Sequence, residues 1–522
     1  MRPIHLPVAL LAALLGAALA GCQETPPAPA AEPEIAVRAG GRGAELYARH
    51  CALCHGDEGF GDGEAAGLLF PTARDFSLGR FRLASTENGI PTRDDLARTL
   101  RRGVPGSAMP AFGWMAEPDL ASLAAHVQDL ALEGMTLRLL EEDGEGEPLS
   151  RPEARALAAR WLTPGAVIDP GPPAEPGEAT LARGRALYER DCAVCHAQDG
   201  GGYGREPLWN QDGTLNWARD FTAGILKGGA THRDLSWRIR AGMAGTAMPA
   251  TGYADPSDCA ALVAYVQTLI PPGSERSLVQ TRRRILAGRC NGPVPTEPGD
   301  PRWEAADEVE LVLAPLWWQP RSVHRAALRA LHDGETLALR LEWPDATRDD
   351  LGLSGAARPD GAALQLSAEP EPPLFGMGAA GLPVNLWHWR AARLEDLAGA
   401  LDLLQGIPHT RRDPLAVERP ADGPLYLDAF GGSRTASRAD SLHARGFDSV
   451  ADSGPEIQAS ARWADGVWSV VFARALEPRA GDELALSPGT AIQVACAVWN
   501  GSAGDRGGQK SVGIWQELEI AP

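Results

Sequence analysis

Cys51-Ala52-Leu53-Cys54-His55 recurs 141 residues later as Cys192-Ala193-Val194-Cys195-His196. Each copy sets two thiols one helical turn apart and follows the second directly with a histidine. This spacing suits the addition of Cys51 and Cys54, or Cys192 and Cys195, to the two vinyl groups of a haem, with His55 or His196 carried under the iron as proximal ligand. Zinc knuckles and redox dithiols also use paired cysteines. The first needs a second ligand pair and the second a βαβ setting, and neither surrounds these motifs. With 8 Cys and 11 His in 522 residues, one CxxCH arises by chance in roughly 0.3% of shuffled chains, so two mark a duplicated attachment site for two covalent c haems.

The self-similarity extends beyond the motif. Arg42-Gly43 through Tyr47 mirrors Arg183-Gly184 through Tyr188, and Ala73-Arg74-Asp75-Phe76 mirrors Ala218-Arg219-Asp220-Phe221. Gly106-Ser107-Ala108-Met109-Pro110-Ala111 mirrors Gly245-Thr246-Ala247-Met248-Pro249-Ala250. Met109 and Met248 are therefore the candidates for the sixth iron ligand, because a thioether is a soft donor and a His/Met pair raises the potential. A loop methionine is otherwise gap-filling core, but Met115 and Met243 lack counterparts in the other copy. The copies close with amphipathic helices through Leu120, Leu123, Ala124, Val127 and Leu130, and through Cys259, Leu262, Val263, Val266 and Leu269. Asp255-Pro256 supplies the second with an N-cap and a first helical proline. Cys259 falls on the buried face and reads as a small core residue. Residues 38–135 and 180–272 thus each resemble a class I c-type cytochrome, which implies an all-α domain around one haem; the Gly-rich stretch Gly200 to Gly204 is a departure.

Past about Ser274 the periodicity becomes alternating. Leu337, Leu339, Leu341 and Trp343 follow an Asp333-Gly334 turn, Ile492, Val494, Cys496 and Val498 repeat the pattern, and Asp465-Gly466 divides two strand-like runs. Residues 300–522 read as a β-sandwich, and ten of the fifteen tryptophans lie there, suited to a core, a sugar platform or a wall around a flat cofactor. Met377, its one methionine, stands between glycines, which allow close backbone approach. Lys510 is its one lysine, in a chain whose 49 basic residues include only one other, Lys227. A lysine can shed its proton and offer a lone pair; an arginine cannot. A neutral amine and a thioether make a pair of axial ligands for a non-covalent haem, against the alternative of a surface lysine and a packed methionine. The segments Leu374 to Ala391 and Ala497 to Trp515 resemble the haem-binding γ subunit of ethylbenzene dehydrogenase and related enzymes of the dimethyl sulfoxide reductase family. That resemblance implies one haem b between Met377 and Lys510, with His388 as the alternative ligand.

The fold class expected is multidomain α + β, with two all-α cytochrome domains followed by the β-sandwich. Residues 1–21 read as a signal peptide ending in Leu19-Ala20-Gly21-Cys22, which resembles a bacterial lipobox and makes Cys22 the expected lipidation site at a membrane surface; an ordinary cleaved signal is the alternative. Residues 22–37 form a Pro/Ala-rich tether, 136–179 an acidic and Pro-rich linker with a helix from Arg151 to Leu162, and 273–299 a second linker. The net charge of −19 argues against nucleic acid as partner. The reading is a membrane-anchored, periplasm-facing electron carrier without catalytic residues. The resemblance implies docking to the catalytic and iron–sulfur subunits of a molybdenum enzyme, with a soluble cytochrome or quinone-linked complex as the other exchange partner. A dihaem peroxidase and a cytochrome fused to a carbohydrate-binding sandwich are the rivals. The first needs an open iron, and the second predicts no third haem. Cys290 and Cys496 stay unassigned.

Overall fold

In the computed structural model the described residues are 41–141, 148–202, 208–253, 255–274, 278–350, 358–373, 377–379, 381–391, 438–445, 450–452, 457–479 and 483–522. The expected signal, tether and Cys22 lie outside them. No described helix is long and apolar enough to cross a membrane.

The sequence duplication is a structural one. The first copy runs through α1 (Arg42–His50), α2 (Ala52–His55), α3 (Arg93–Arg102) and α4 (Glu117–Glu141), followed by α5 (Arg151–Trp161). The second runs through α6 (Glu178–Asp191), α7 (Ala193–His196), α8 (His232–Ala241) and α9 (Pro256–Leu269). In both, the first helix crosses the last at a glycine. A Cβ on Gly43 would lie 2.3 Å from the Ser122 carbonyl oxygen, and one on Gly184 2.1 Å from that of Ala261, so a side chain at either position would force the helices apart. Thr92 and Thr231 cap α3 and α8 by accepting the backbone N–H of Asp95 and Asp234.

Two features depart from the expected outline. The second copy is not wholly helical: β1 (Leu208–Trp209) pairs antiparallel with β2 (Leu215–Asn216) across a turn in which Gly213 takes φ 78°. The stretch 136–179, expected as a linker with one helix, also packs on its neighbours. α4 continues to Glu141, and α5 packs on it through Leu139, Ala154 and Ala158. The strand-like tail then joins the copies, with Ile168 N–H donating to Ser85 O (2.8 Å) and Trp237 Nε1 to Ile168 O (2.9 Å). Its acidic and proline content concealed a short apolar face at helical spacing.

The remaining strands are β3 (Arg284–Arg289), β4 (Val309–Pro315), β5 (Arg325–His332), β6 (Thr336–Pro344), β7 (Gly361–Ser367), β8 (Val384–Arg390), β9 (Arg438–Ala444), β10 (Val450–Asp452), β11 (Ile457–Ala464), β12 (Val467–Ala475), β13 (Ala491–Trp499), β14 (Ser511–Gly513) and β15 (Gln516–Ile520). Ten of them pair in a closed ring, β4-β5-β6-β12-β11-β9-β8-β7-β13-β14 and back to β4, while β3 and β15 bridge β5 to β13. Inward residues such as Leu341, Leu364, Trp387, Phe472 and Val494 share one core. β3 lies in the stretch expected as linker; its buried Ile285 and Ala287 are too few to signal a strand. The Asp465-Gly466 turn has φ 53° and 77°, both positive as a two-residue hairpin of this kind requires.

Burial of carboxyls, Asp360 and Asp505 among them, carries a charge-related cost. Asp505, 4% exposed, accepts Asn500 N–H (3.0 Å) and Gln319 Nε2 (2.5 Å), and burial pushes its carboxyl up to about 7. A carboxyl raised above its unfolded value of ~3.9 contributes stability at low pH that is lost as pH climbs through the folded value. Asp505→Asn should melt higher than the parent at pH 8, by an amount worth roughly a few kcal/mol, and lose that advantage by pH 4. Equal destabilisation at both pH values would refute the burial cost.

Candidate haem sites

Each copy builds one cleft, and its sequence-identified residues meet there. The first encloses about 1230 Å³ of non-protein space, solvent mouth included, and is lined by Cys51, Cys54, His55 and Met109. The second encloses about 1270 Å³ and is lined by Cys192, Cys195, His196 and Met248. All four thiols are free, and burial pushes Cys51 up to about 12 and Cys54 and Cys192 to about 11.

The repeated Ala-Arg-Asp-Phe segment, found in the sequence without a role, acquires one. His55 Nδ1–H donates to the Arg74 carbonyl (2.9 Å), and His196 Nδ1–H to that of Arg219 (3.0 Å). A carbonyl only accepts, so this bond leaves the Nε2 lone pair for a metal. Phe76 stacks on His55 at 4.7 Å and Phe221 on His196 at 4.5 Å. Tyr47 donates to Gly56 O and Tyr188 to Ala197 O, both at 2.7 Å, pinning the end of each short attachment helix. The methionine loops also match. Val104 N–H donates to Met109 O (3.0 Å) and Met243 N–H to Met248 O (3.1 Å), while Ser107 Oγ and Thr246 Oγ1 accept the methionine N–H.

In the β domain, Lys510 Nζ lies 3.8 Å from Met377 Sδ. Both line a cavity of about 480 Å³, solvent mouth included, with Leu386, His388, Ala497, Trp499 and Val512. A deprotonated amine and a thioether brought together in this way would be the donors that hold a haem iron here. Met377 is 4% exposed and takes φ 48°, a strained conformation for a residue with a side chain and one that concentrates at functional sites. Lys510 is 6% exposed, burial lowers its ammonium to about 8, and its Nζ lies 5.0 Å from the centre of the Trp499 ring. The donor set and its surroundings fit a haem. His388 borders the same cavity, but its Nδ1 is directed to Asp440 Oδ2 at 3.9 Å, and burial pushes it down to about 4. Cys290 and Cys496 are both free thiols.

The three sites form a row that chain order does not suggest. Leu69 and Ala108, which line the first cleft, share a buried cluster with Leu316 and with Val512, which lines the Met377–Lys510 cavity. Phe70 N–H donates to Leu316 O (2.9 Å) and Leu316 N–H to Lys510 O (2.8 Å). The first cleft therefore shares a wall with the β domain, and Lys227 places it against the second cleft, since that residue lines both.

The fold and these clefts define a multidomain haem protein of the electron-transfer class. Family models agree segment by segment: residues 38–127 match one described as cytochrome c oxidase, cbb3-type, subunit III, residues 181–269 one described as cytochrome c, and residues 301–511 one described as ethylbenzene dehydrogenase. Three segments of the chain thus match two cytochrome c family models and an ethylbenzene dehydrogenase model, and the chain is an electron-transfer rather than a catalytic component. Among relatives, it is 27% identical over 237 residues to a putative respiratory nitrate reductase heme subunit of Haloferax mediterranei, covering 43% of this chain and 70% of that one. It is 37% identical over 71 residues to thiosulfate dehydrogenase of Stutzerimonas stutzeri, covering 11% of this chain and 23% of that one. Among solved structures, a reducing HAO-like protein complex of Kuenenia stuttgartiensis matches with a TM-score of 0.38 at 28% identity, over 44% of this chain and 97% of that one.

Proposed function

We propose that the chain carries three haems and passes electrons along the row of its clefts. Haem c is held by Cys51, Cys54, His55 and Met109 in the first, and by Cys192, Cys195, His196 and Met248 in the second. Haem b sits between Met377 and Lys510. The haems supply one-electron exchange; the protein supplies ligands, burial and spacing. The observation that carries this reading is the Met377–Lys510 pair, 3.8 Å apart in one buried cavity, which shares a wall with the first cleft. In this reading the β domain docks on the iron–sulfur subunit of a molybdenum enzyme, and the second cytochrome domain exchanges electrons with a soluble cytochrome or a quinone-linked complex. Similarity to a nitrate reductase haem subunit supports a reductase complex as partner. The sequence Leu19-Ala20-Gly21-Cys22 supports a lipid anchor at Cys22 on the periplasmic side of the membrane.

The test is a pyridine haemochrome spectrum of the full chain produced with c-haem maturation machinery and added haem. The expected result is two covalent haems and one extractable haem per chain. Two covalent haems with none extractable would remove the β domain from the relay.

A further inference from the structure

Lys227, the second of the two lysines, remains without a role in the ligand assignments. It lies in the loop before α8, half-buried, and lines both cytochrome clefts. Arg74 and Arg82 line the first cleft and Arg219 the second, and all three guanidiniums act on Lys227, which together with burial lowers its ammonium well below the usual lysine range. Asp212 acts on Arg74 and Arg82, but no carboxylate among the described residues is paired with Lys227. Arg82 Nε is buried without a hydrogen-bond partner. Lys227, Arg74 and Arg82 at the first cleft, and Lys227, Arg219 and Arg238 at the second, outnumber Asp75 and Asp212, which act on the first group, and Asp191, which lines the second cleft; such an excess of positive charge favours the entry of anions. A haem brings such anions, because its two propionates carry carboxylates at one edge.

We propose that Lys227 is a propionate-binding cation shared by both c haems, so that their propionate edges face each other across it and its charge sets both potentials. This rests on the reading of the two clefts as haem sites. A compact ammonium suits a position open to two clefts, because its three N–H donors are free to rotate, whereas a guanidinium presents a fixed planar fork. Arg74, Arg82 and Arg219 serve one cleft each.

The test is a spectroelectrochemical titration of the full chain, with the two c midpoints assigned from Met109→Ala and Met248→Ala chains. A cation beside a haem favours the reduced iron, since reduction lowers the net charge. Lys227→Gln should therefore lower both c midpoints, each by about tenfold in the oxidised-to-reduced ratio at fixed potential, ~59 mV for one electron. Lys227→Arg, which keeps the charge, should hold both near the parent values. Arg82→Gln should lower the first midpoint more than the second. A Lys227→Gln chain in which only one midpoint moves, or neither, overturns the shared role. Haem counting on the parent separates the two readings: fewer than two covalent haems per chain would refute the site assignment itself, whereas two covalent haems with unmoved midpoints refute only the role of Lys227.

Discussion

Replacing Lys510 by alanine should remove the proposed b haem and leave both c haems in place: extractable haem is expected to fall to a tenth or less of the parent level, the equivalent of at least ~1.4 kcal/mol of binding free energy. Lys510 immediately precedes β14, its carbonyl is held by Leu316 N–H (2.8 Å), and its Nζ points at Met377 Sδ (3.8 Å). Alanine deletes the amine directed at that sulfur. Lys510→Arg is the sharper experiment. It preserves the positive charge but offers no lone pair, so it should lose b haem as fully as alanine does, whereas a lysine kept for its charge would tolerate the change. Met377→Ala should also lower b-haem content, and His388→Ala should leave it in place. Haem content unchanged in both the Lys510 and Met377 variants would end the ligand assignment.

The second large effect is on potential. On the proposed ligation, Met109→Ala would take the soft donor from the first c haem and should lower its midpoint by on the order of 0.1 V or more, within the ~0.8 V range that axial ligation commands. Its iron should then bind added cyanide or imidazole, seen as a shift in the visible spectrum. Met248→Ala should do the same to the second haem and leave the first unchanged. Met115→Ala is the control, because Met115 is buried in the core of the first copy without lining its cleft. That variant should lose roughly 2–5 kcal/mol of stability and keep both midpoints. A Met109→Ala chain with a parent-like midpoint and no binding of added ligand would mean that another side chain completes the coordination.

What could be read in the sequence divides along physical lines. The thiols, histidines and methionines of the c sites announce themselves, because their chemistry depends on side-chain type and the duplication repeats the spacing. Ala73-Arg74-Asp75-Phe76 was visible as a repeat but mute as to purpose, because it acts through a backbone carbonyl and a ring face. Met377 and Lys510 stood out by rarity, and resemblance supplied their pairing. β3 was hidden by brevity, with too few apolar positions to establish a period, whereas the helix at α5 was legible and only its packing on α4 was not. The adjacency of the first cytochrome domain to the β domain was invisible, since Leu69, Ala108, Leu316 and Val512 are ordinary apolar residues whose meeting depends on the whole fold.

That adjacency has a consequence for how the chain can be shortened or extended. The piece nearest the β domain in the primary structure, the second cytochrome, is the outer unit of the row; the piece farthest away is the inner one. Excising residues 180–272 would leave the other two sites abutting but would strip Trp217 and Arg219 from Trp318. Excising residues 41–135 would split the row, and would also bare to water an apolar surface that Met377, Leu386 and Trp515 now share with Phe112 and Leu120. Neither cytochrome module is a loose attachment: the first is held to the β domain through Phe112 and Leu120, and the second sets Trp217 and Arg219 against Trp318.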